Sequence, residues 1–253
     1  MSLHDHINIS NLYALYGDVG RTVNGSELLN YPHFQLVRSP RSAWPNIAYG
    51  LPEGTFDNTL TREIAEAMIS RGMEPMAVAS NTPDTLQAFK AAGFLPAGKW
   101  LGMYAEELDT VSAPAPVDEL SLYIMKETRS LDPWIAVASR SLFRSKALDP
   151  AIFTTLRSTD KAELIGLEIR GELVGTAMVY YDGSGNAGLY FVCIGENHRG
   201  KGLGQPLVRF CLACILARGI KRCYLQSTKA GLNLYASLGF KSLSEYLLFL
   251  KIK

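Results

Sequence analysis

The chain has 253 residues and a formal net charge of +1; 47% of its residues are hydrophobic and 19% are charged. This length suits one large domain or two smaller ones, and the composition excludes an intrinsically disordered chain. A net charge near zero, without a long basic stripe, excludes bulk nucleic-acid binding. No apolar run reaches the length of about 18 residues that a membrane-spanning helix needs.

The N-terminus and the cysteines indicate a cytoplasmic protein. Residues 1–6 lack the apolar core of a secretory signal, so we expect a frayed, solvated terminus. No second Cys/His pair has zinc-ligand spacing beside Cys211 and Cys214, so no metal site is expected. All four cysteines are interpreted as reduced core residues: Cys193, Cys211, Cys214 and Cys223.

The first half of the chain predicts helix, strand, helix and strand in succession. A helix should begin at Asn58 or Thr59, because Ile64, Met68 and nearby apolar residues recur along one side. A strand is predicted to end near Ser80, and a second helix should close at residues 93–94, Gly-Phe. The segment 99–104 is then predicted to be extended.

Residues 109–118 are predicted to link two domains. Pro114 and Pro116 lie among small residues and can continue neither a helix nor a central strand. We therefore place one domain at residues 1–112 and the other at residues 113–253. A helical pattern is predicted to resume at Leu120 and to extend through Glu127.

The second half begins with a predicted antiparallel hairpin. Residues 162–169 and 173–181 are apolar segments joined by a glycine turn, and a second turn at 182–186 leads into the apolar strand 189–194.

A glycine-rich segment follows that strand. Glu196 begins it, and Gly200, Gly202 and Gly204 alternate with Lys201 and Leu203 before an amphipathic helix that starts near Leu207. Glycines let backbone N–H groups approach a ligand closely, and a helix start adds unpaired donors and a positive dipole end. The combination predicts a phosphate-binding loop.

Two nucleotide-binding motifs are excluded for this loop. The Gly-x4-Gly-Lys-[Ser/Thr] string of nucleoside triphosphatases is absent. A dinucleotide fingerprint needs Gly-x-Gly-x-x-Gly and an acidic residue about 20 positions later, whereas residues 220–224 read Ile-Lys-Arg-Cys-Tyr.

The C-terminal segment continues with a strand at 222–226, a helix at 230–238 that contains Tyr235 and ends at Gly239-Phe240, and a final strand at 246–252. The loop 199–204 and the Tyr-x-x-x-Gly-Phe ending together resemble the GNAT superfamily of N-acetyltransferases, over about residues 120–253. The resemblance implies an α/β fold of two GNAT-like domains, each a mostly antiparallel splayed sheet flanked by helices.

The two halves resemble each other. Residues 71–80 align with 218–227, and residues 86–94 align with 232–240. The first half has Gly-Leu-Pro-Glu-Gly at 50–54 in place of the phosphate loop, and Phe89 stands where Tyr235 stands. We interpret the first half as a degenerate copy, as in tandem-repeat GNAT proteins of the mycothiol synthase type.

The resemblance implies an acetyl-CoA-dependent N-acetyltransferase that acts by direct attack in a ternary complex on a primary amine of a small molecule or peptide. Tyr235 is the candidate general acid and Glu196 the candidate base, with Glu168 and Tyr190 as alternatives. The candidate contacts to the coenzyme are Val192, Cys193, Ile194, Arg199, Gly200, Lys201, Gly202, Leu203, Gly204, Gln205, Thr228 and Asn233.

Departures from the family pattern and rival functions stay open. Thr228 and Gly231 stand where the family often has Asn and Ala, which puts the Thr228 contact in doubt. A coenzyme A binding module without turnover and an interaction scaffold are the rival functions. The acceptor and the oligomeric state, including a homodimer, are not predicted further.

Overall fold

The computed structural model describes residues 2–52, 58–106, 108 and 119–251. Three of its helices carry proline at the first or second position (Pro83, Pro133 and Pro150), where the fixed φ and the missing N–H cost nothing. The α-helices of this part of the chain are α1 (Leu3–Thr22), α2 (Asn58–Ile69), α3 (Pro83–Ala91), α4 (Asp132–Phe143), α5 (Pro150–Ser158), α6 (Gly204–Ala217) and α7 (Leu232–Ser237).

The described strands form one mixed sheet. They are β1 (Glu27–Asn30), β2 (Gln35–Arg38), β3 (Ile47–Tyr49), β4 (Met76–Ser80), β5 (Phe94–Glu106), β6 (Leu120–Ile124), β7 (Ala162–Ile169), β8 (Glu172–Tyr181), β9 (Ala187–Ile194), β10 (Arg222–Ser227) and β11 (Lys241–Lys251). Their order across the sheet is β1-β2-β3-β4-β11-β5-β10-β9-β8-β7-β6. The predicted mixed α/β architecture is therefore confirmed, whereas the two sheets that we expected are joined into one.

The halves are joined because each contributes its last strand to the other. Strand β11, from the end of the chain, lies between β4 and β5, while β5 lies between β11 and β10. Trp100 of β5 is paired with Tyr246 of β11 where these two strands run side by side. Separating the halves would expose both exchanged strands, so we expect them to unfold together. The boundary between residues 112 and 113 stays a prediction, because residues 109–118 lie outside the described part.

The repeated sequence corresponds to a repeated order of elements. The order α2, β4, α3, β5 in the first half recurs as α6, β10, α7, β11 in the second. Gly93 and Gly239, with φ of +81° and +85°, stand at matching positions just after α3 and α7. A non-glycine residue would be strained there, which explains why both copies carry Gly-Phe at this point.

The helices cover both faces of the sheet. Apolar residues of β5, β9 and β10 pack with α6 and α7 on one face, which also carries α2 and α3 over the first half. The opposite face packs against α1, α4 and α5. The largest fully buried side chains include Trp134, Tyr49 and Phe153. Trp134 and Tyr49 therefore belong to the core.

Helix α1 replaces the frayed terminus that we expected. Ser2 and Asp5 form a capping box at its start, and each satisfies a backbone N–H of the other. His4 stacks on Tyr104 at 4.0 Å between ring centroids, and its Nδ1 lies 3.2 Å from the hydroxyl of Tyr224. The sequence pattern did not indicate this helix, because several of its buried residues are polar.

Polar side chains of α1 attach it to successive strands of the sheet. Asp5 accepts from the N–H of Ser244 within β11, and Asn8 donates to the carbonyl groups of Met103 and Leu225. Further along, Asn11 accepts a hydrogen bond from Tyr190 of β9 at 2.7 Å. Because α1 belongs to the first half and these strands belong to both, the helix fastens the halves together.

Asp18, near the end of α1, should make stability depend on pH. Its carboxylate accepts from Tyr180 at 2.6 Å, from Lys161 at 2.7 Å and from Arg21 at 2.9 Å. Burial by itself would raise the pKa of Asp18, but these hydrogen bonds outweigh it and hold the pKa below the ordinary value of 3.8. The stabilisation is therefore complete above that value and is lost as the pH falls through the lower, folded-state pKa.

We expect Asp18→Asn to lower the free energy of unfolding by about 2 kcal/mol at pH 7, since a carboxylate with charged partners is lost. The difference from the unchanged protein should shrink below about pH 4, as the unchanged carboxyl becomes protonated on unfolding. Urea denaturation at pH 7 and pH 3 measures both. Asp84→Asn, at an exposed site, is the control, and a difference that stays constant with pH would contradict the prediction.

The segment after the linker is a strand, so the predicted helix at residues 120–127 is wrong. Strand β6 pairs antiparallel with β7, with Leu120 opposite Ile169 and Ile124 opposite Ile165. Leu120, Tyr123, Ile124 and Glu127 fit helical spacing, but pairing with the sheet edge overrides this local pattern.

In the part of the chain that the structure describes, no helix has both the length and the apolar character needed to cross a membrane.

Candidate functional site

Strands β9 and β10 run parallel and then separate. They pair only at Ala187 with Cys223 and at Gly188 with Tyr224, at the start of each strand. Beyond these pairs the ladder between the two strands ends, and β9 continues to Ile194. The splayed opening that the sequence resemblance implied is therefore present, and the backbone of Val192, Cys193 and Ile194 follows its β9 side.

A β-bulge interrupts β9 within this opening. Thr176 of β8 faces Cys193 and Met178 faces Tyr190, so Phe191 and Val192 together oppose a single residue of β8. Phe191 has a φ of +52°, an uncommon conformation for a bulky residue. Sequence reasoning missed the bulge, because β9 is largely apolar on both faces and shows no break in alternation.

The glycine loop, residues 199–204, joins the end of β9 to α6. Gly200 and Gly202 have φ of +75° and +76°, and a Cβ atom at either position would meet nothing within 4 Å. In the described structure these backbone N–H groups donate to no protein acceptor: Gly200, Lys201, Gly202, Leu203 and Gly204. Helix α6 begins at Gly204 without a side-chain cap, so its positive end is added to these donors.

The glycine loop is held against α7. A Cβ atom at Gly204 would lie 3.0 Å from Cδ2 of Leu234, so the start of α6 packs closely on the helix that carries Tyr235. The glycine loop and the helix that carries Tyr235 are thereby fixed relative to each other.

The charged side chains of the loop have different positions. Arg199 is exposed, and its Nε donates to the carbonyl of Ile194 at 3.0 Å, which holds the guanidinium over the end of β9. Lys201 and Gln205 are exposed. Their contact with a phosphate stays a prediction, and Arg199 would have to release Ile194 before that carbonyl could pair with a ligand.

Tyr235 lies at the inner side of α7 and is 8% exposed. Its ring packs edge-on against Phe240 at 5.6 Å, and Gly231 leaves the space that the ring occupies. Burial raises the pKa of Tyr235 above its ordinary value, and the nearby thiols of Cys211, Cys223 and Cys193 raise it further. The phenol therefore stays protonated at neutral pH, as a proton donor must.

The other predicted contacts on this side are less enclosed. Thr228 precedes a short 3-10 turn at Lys229–Gly231 and makes no side-chain cap there, and Asn233 lies exposed on α7. Both lie near the open ends of β10 and α7. Their contact with a coenzyme stays a prediction.

The three carboxyl and phenol candidates for the base are in different surroundings. Glu196 is exposed in the 3-10 turn Glu196–His198, at the end of β9. Glu168 accepts hydrogen bonds from Tyr123 and Arg129. Tyr190 donates to Asn11, and burial raises its pKa well above the ordinary value, so it is a poor proton acceptor.

All four cysteines are free thiols. Cys193, beside the opening, is buried, and burial raises its pKa despite its hydrogen bond with Thr176. A protonated, buried thiol is a weak nucleophile, which disfavours an acyl-cysteine route. Within the described residues, no group of three or more His, Cys, Asp or Glu side chains is arranged to hold a metal ion.

The first half has the corresponding separation of strands. Among the described pairs, β3 and β4 share one, Ala48 with Ala77, and a cavity of about 200 Å³ lies beyond it, bordered by Gly50 and Ser80. Residues 53–54 of the predicted substitute loop lie outside the described residues. Phe89 stacks on Phe249 at 4.1 Å in the core and offers no hydroxyl.

Comparison with known proteins agrees with this geometry. Residues 129–240 match the sequence model of the acetyltransferase (GNAT) family. This match supports a relationship between the second half of the chain and the GNAT family. The GNAT match includes β9, the glycine loop, β10 and Tyr235. It begins at residue 129, so the first half of the chain lies outside it.

Individual relatives extend the comparison. The uncharacterised N-acetyltransferase YobR of Bacillus subtilis (strain 168) is 34% identical over 100 residues, which cover 38% of this chain and 36% of YobR. A GCN5-related N-acetyltransferase from Kribbella flavida superposes with a TM-score of 0.74 at 14% identity, over 100% of this chain and 97% of that one.

A tandem GNAT protein from the clavulanic acid biosynthesis pathway superposes with a TM-score of 0.62 at 14% identity, over 99% of this chain and 96% of that one. An identity of 14% is informative about the fold alone. Because both superpositions cover nearly the whole chain, they show that the GNAT-like fold extends over both of its halves.

Proposed function

We propose that the second half of the chain transfers an acetyl group from acetyl-CoA to a primary amine, by direct attack in a ternary complex. The observation that carries this proposal is the glycine loop at the open end of the separated strands β9 and β10. Its unpaired N–H groups and the start of α6 suit a diphosphate. Beyond Gly188 the backbone of β9 has no β10 partner, which suits pairing with the extended arm of coenzyme A.

The proposed chemistry has three requirements, and residues near the opening can meet each of them. The thioester oxygen, as it becomes an oxyanion, needs a backbone N–H, and the bulge in β9 leaves a residue outside the ladder. The leaving thiolate needs a proton, and the phenol of Tyr235, which is protonated at neutral pH, is our candidate donor. The amine must lose a proton before it attacks, and Glu196 is our candidate to accept it through water.

In this proposal the first half is a degenerate copy that shapes the acceptor side. Helix α1 crosses the face of the sheet at β9 and β10, and Trp44 packs against Phe191 with ring centroids 4.9 Å apart. The similarity to a tandem GNAT fold supports a duplicated architecture. The acceptor is a small molecule or a peptide with a primary amine, and the assignment rests on the chemistry of the GNAT family.

Two experiments test the proposal. Coenzyme A at 100 times its Kd should stabilise the folded chain by about 2.7 kcal/mol and raise its melting temperature. Acetyl-CoA with a panel of primary amines should release free thiol in step with acetylated product. Stabilisation without thiol release from any amine would favour a binding module, and the absence of stabilisation would favour a scaffold.

A further inference from the structure

The backbone at Phe191 is strained and must be held by its surroundings. Its φ of +52° costs a non-glycine residue about 1–2 kcal/mol relative to ordinary strand geometry. Strain of this kind persists only where neighbouring groups over-determine the conformation, and it is concentrated at functional sites. The groups that hold Phe191 therefore indicate what the bulge is for.

The side chains on either side of the strained peptide are fixed from the α1 and α4 face. The ring of Phe191 lies among Trp44, Trp134 and Phe153, with centroids 4.9–5.7 Å away. Tyr190 is held by Asn11, which can approach because residue 188 is glycine. A Cβ atom there would lie 2.1 Å from Asn11 Oδ1. These contacts fix the side chains but leave the orientation of the next peptide group undetermined.

Thr176 supplies the missing constraint. This residue of β8 is fully buried, and its Oγ1 donates to the carbonyl oxygen of Phe191 at 3.0 Å. The same hydroxyl lies 3.0 Å from Sγ of Cys193, whose thiol hydrogen it can accept. The hydroxyl hydrogen is thereby committed to Phe191, and the carbonyl of that peptide is directed towards β8.

The direction of that carbonyl determines the direction of the next N–H. A trans peptide is planar, with its C=O and N–H on opposite sides. Because the carbonyl of Phe191 points towards β8, the N–H of Val192 points away from β8, to the side on which β10 separates from β9. This is the side on which a thioester in the opening would present its carbonyl oxygen.

We propose that Thr176 is a positioning residue that orients the Phe191–Val192 peptide, so that the N–H of Val192 stabilises the oxyanion formed during acetyl transfer. The inference rests on the proposed function and adds the side chain that aims the backbone donor. Thr176 touches neither substrate nor coenzyme, since it is buried behind β9.

Three variants test this role. Thr176→Val removes the hydroxyl at nearly constant shape, and Thr176→Ser restores it. Thr61→Val is the matched control, because Thr61 is also fully buried and also donates to a carbonyl, that of Asn58 in α2. The melting temperature of each variant reports any general loss of stability.

For Thr176→Val we expect kcat to fall by up to about 100-fold, since a reacting group is misplaced, while the Kd for coenzyme A changes by less than about threefold. Thr176→Ser should recover most of kcat, and Thr61→Val should retain it. A wild-type kcat in Thr176→Val, an equal loss of kcat in Thr61→Val, or no recovery in Thr176→Ser would each overturn the inference.

Carbon-13 NMR of the Phe191 carbonyl separates this inference from the proposed function. Thr176→Val should shift that carbonyl resonance upfield in the ligand-free protein, because the carbonyl loses the hydrogen bond from Thr176, and Thr61→Val should leave it in place. If the unchanged protein acetylates no amine, the proposed function fails, yet this NMR measurement still decides whether Thr176 holds the peptide. An unchanged Phe191 carbonyl resonance in Thr176→Val would overturn the positioning role whether or not the protein is an enzyme.

Discussion

Replacing Tyr235 by phenylalanine is expected to lower kcat by about 10²–10⁴-fold and to leave the Kd for coenzyme A nearly unchanged. This range is what a positioned general acid contributes. The ring should keep its edge-on contact with Phe240, so the packing of α7 survives the change. The variant therefore removes a proton donor while preserving the fold.

The pH profile adds a second readout for Tyr235. Because burial raises the pKa of its phenol, the group stays protonated through the usual assay range, and activity should not decline on the alkaline side through this residue. Tyr31→Phe is the matched control, since Tyr31 stacks on Phe34 in the first half, away from the glycine loop. Steady-state kinetics and calorimetric binding measure the effect. Equal kcat in Tyr235→Phe and the unchanged protein would remove Tyr235 from the mechanism.

The second large effect is expected at Gly202. Gly202→Ala places a side chain at a φ of +76° in the glycine loop, where L residues are strained by about 1–2 kcal/mol. The loop can relieve this strain by rotating its peptides, which turns N–H groups away from the diphosphate. Each lost charge-assisted hydrogen bond is worth about 1.5–3 kcal/mol, so the Kd should rise by at least about tenfold.

Gly219→Ala provides a closely matched control. Gly219 follows α6 with a φ of +74°, and a Cβ atom there also meets nothing within 4 Å. Both variants should lose similar stability, but only Gly202→Ala should lose affinity for coenzyme A. Calorimetric titration and thermal unfolding of the two variants measure this difference. If both lose affinity equally, the loop is not the binding element.

The local motifs were predictable because each depends only on residues that are adjacent in the sequence. The strand before the glycine loop, the alternating glycines and the amphipathic α6 all lie within about 30 residues, and the structure contains each of them. The ending of α7 at Gly239 was equally local, since only glycine tolerates that backbone conformation without strain. The repeated order of elements followed from the alignment of the two halves.

Other features depend on partners that are distant in the sequence. Asn8 and Asn11 of helix α1 can be buried because they form hydrogen bonds with a carbonyl and a hydroxyl group of strands distant in the sequence. The spacing of apolar residues does not predict such hydrogen bonds. The segment 120–124 had helical spacing, but it became β6 because the edge of β7 was available for pairing.

For this chain, residue order alone was enough to predict a phosphate-binding loop and a duplicated unit, because backbone freedom and short-range periodicity are local properties. Tyr235 became a candidate acid through the resemblance to the GNAT family. Tertiary structure alone decided that the halves exchange β5 and β11 within one sheet and that Thr176 controls the peptide before Val192. Strand pairing and hydrogen bonds between buried groups depend on segments that are far apart in the sequence. No single segment therefore predicts which partners it will have.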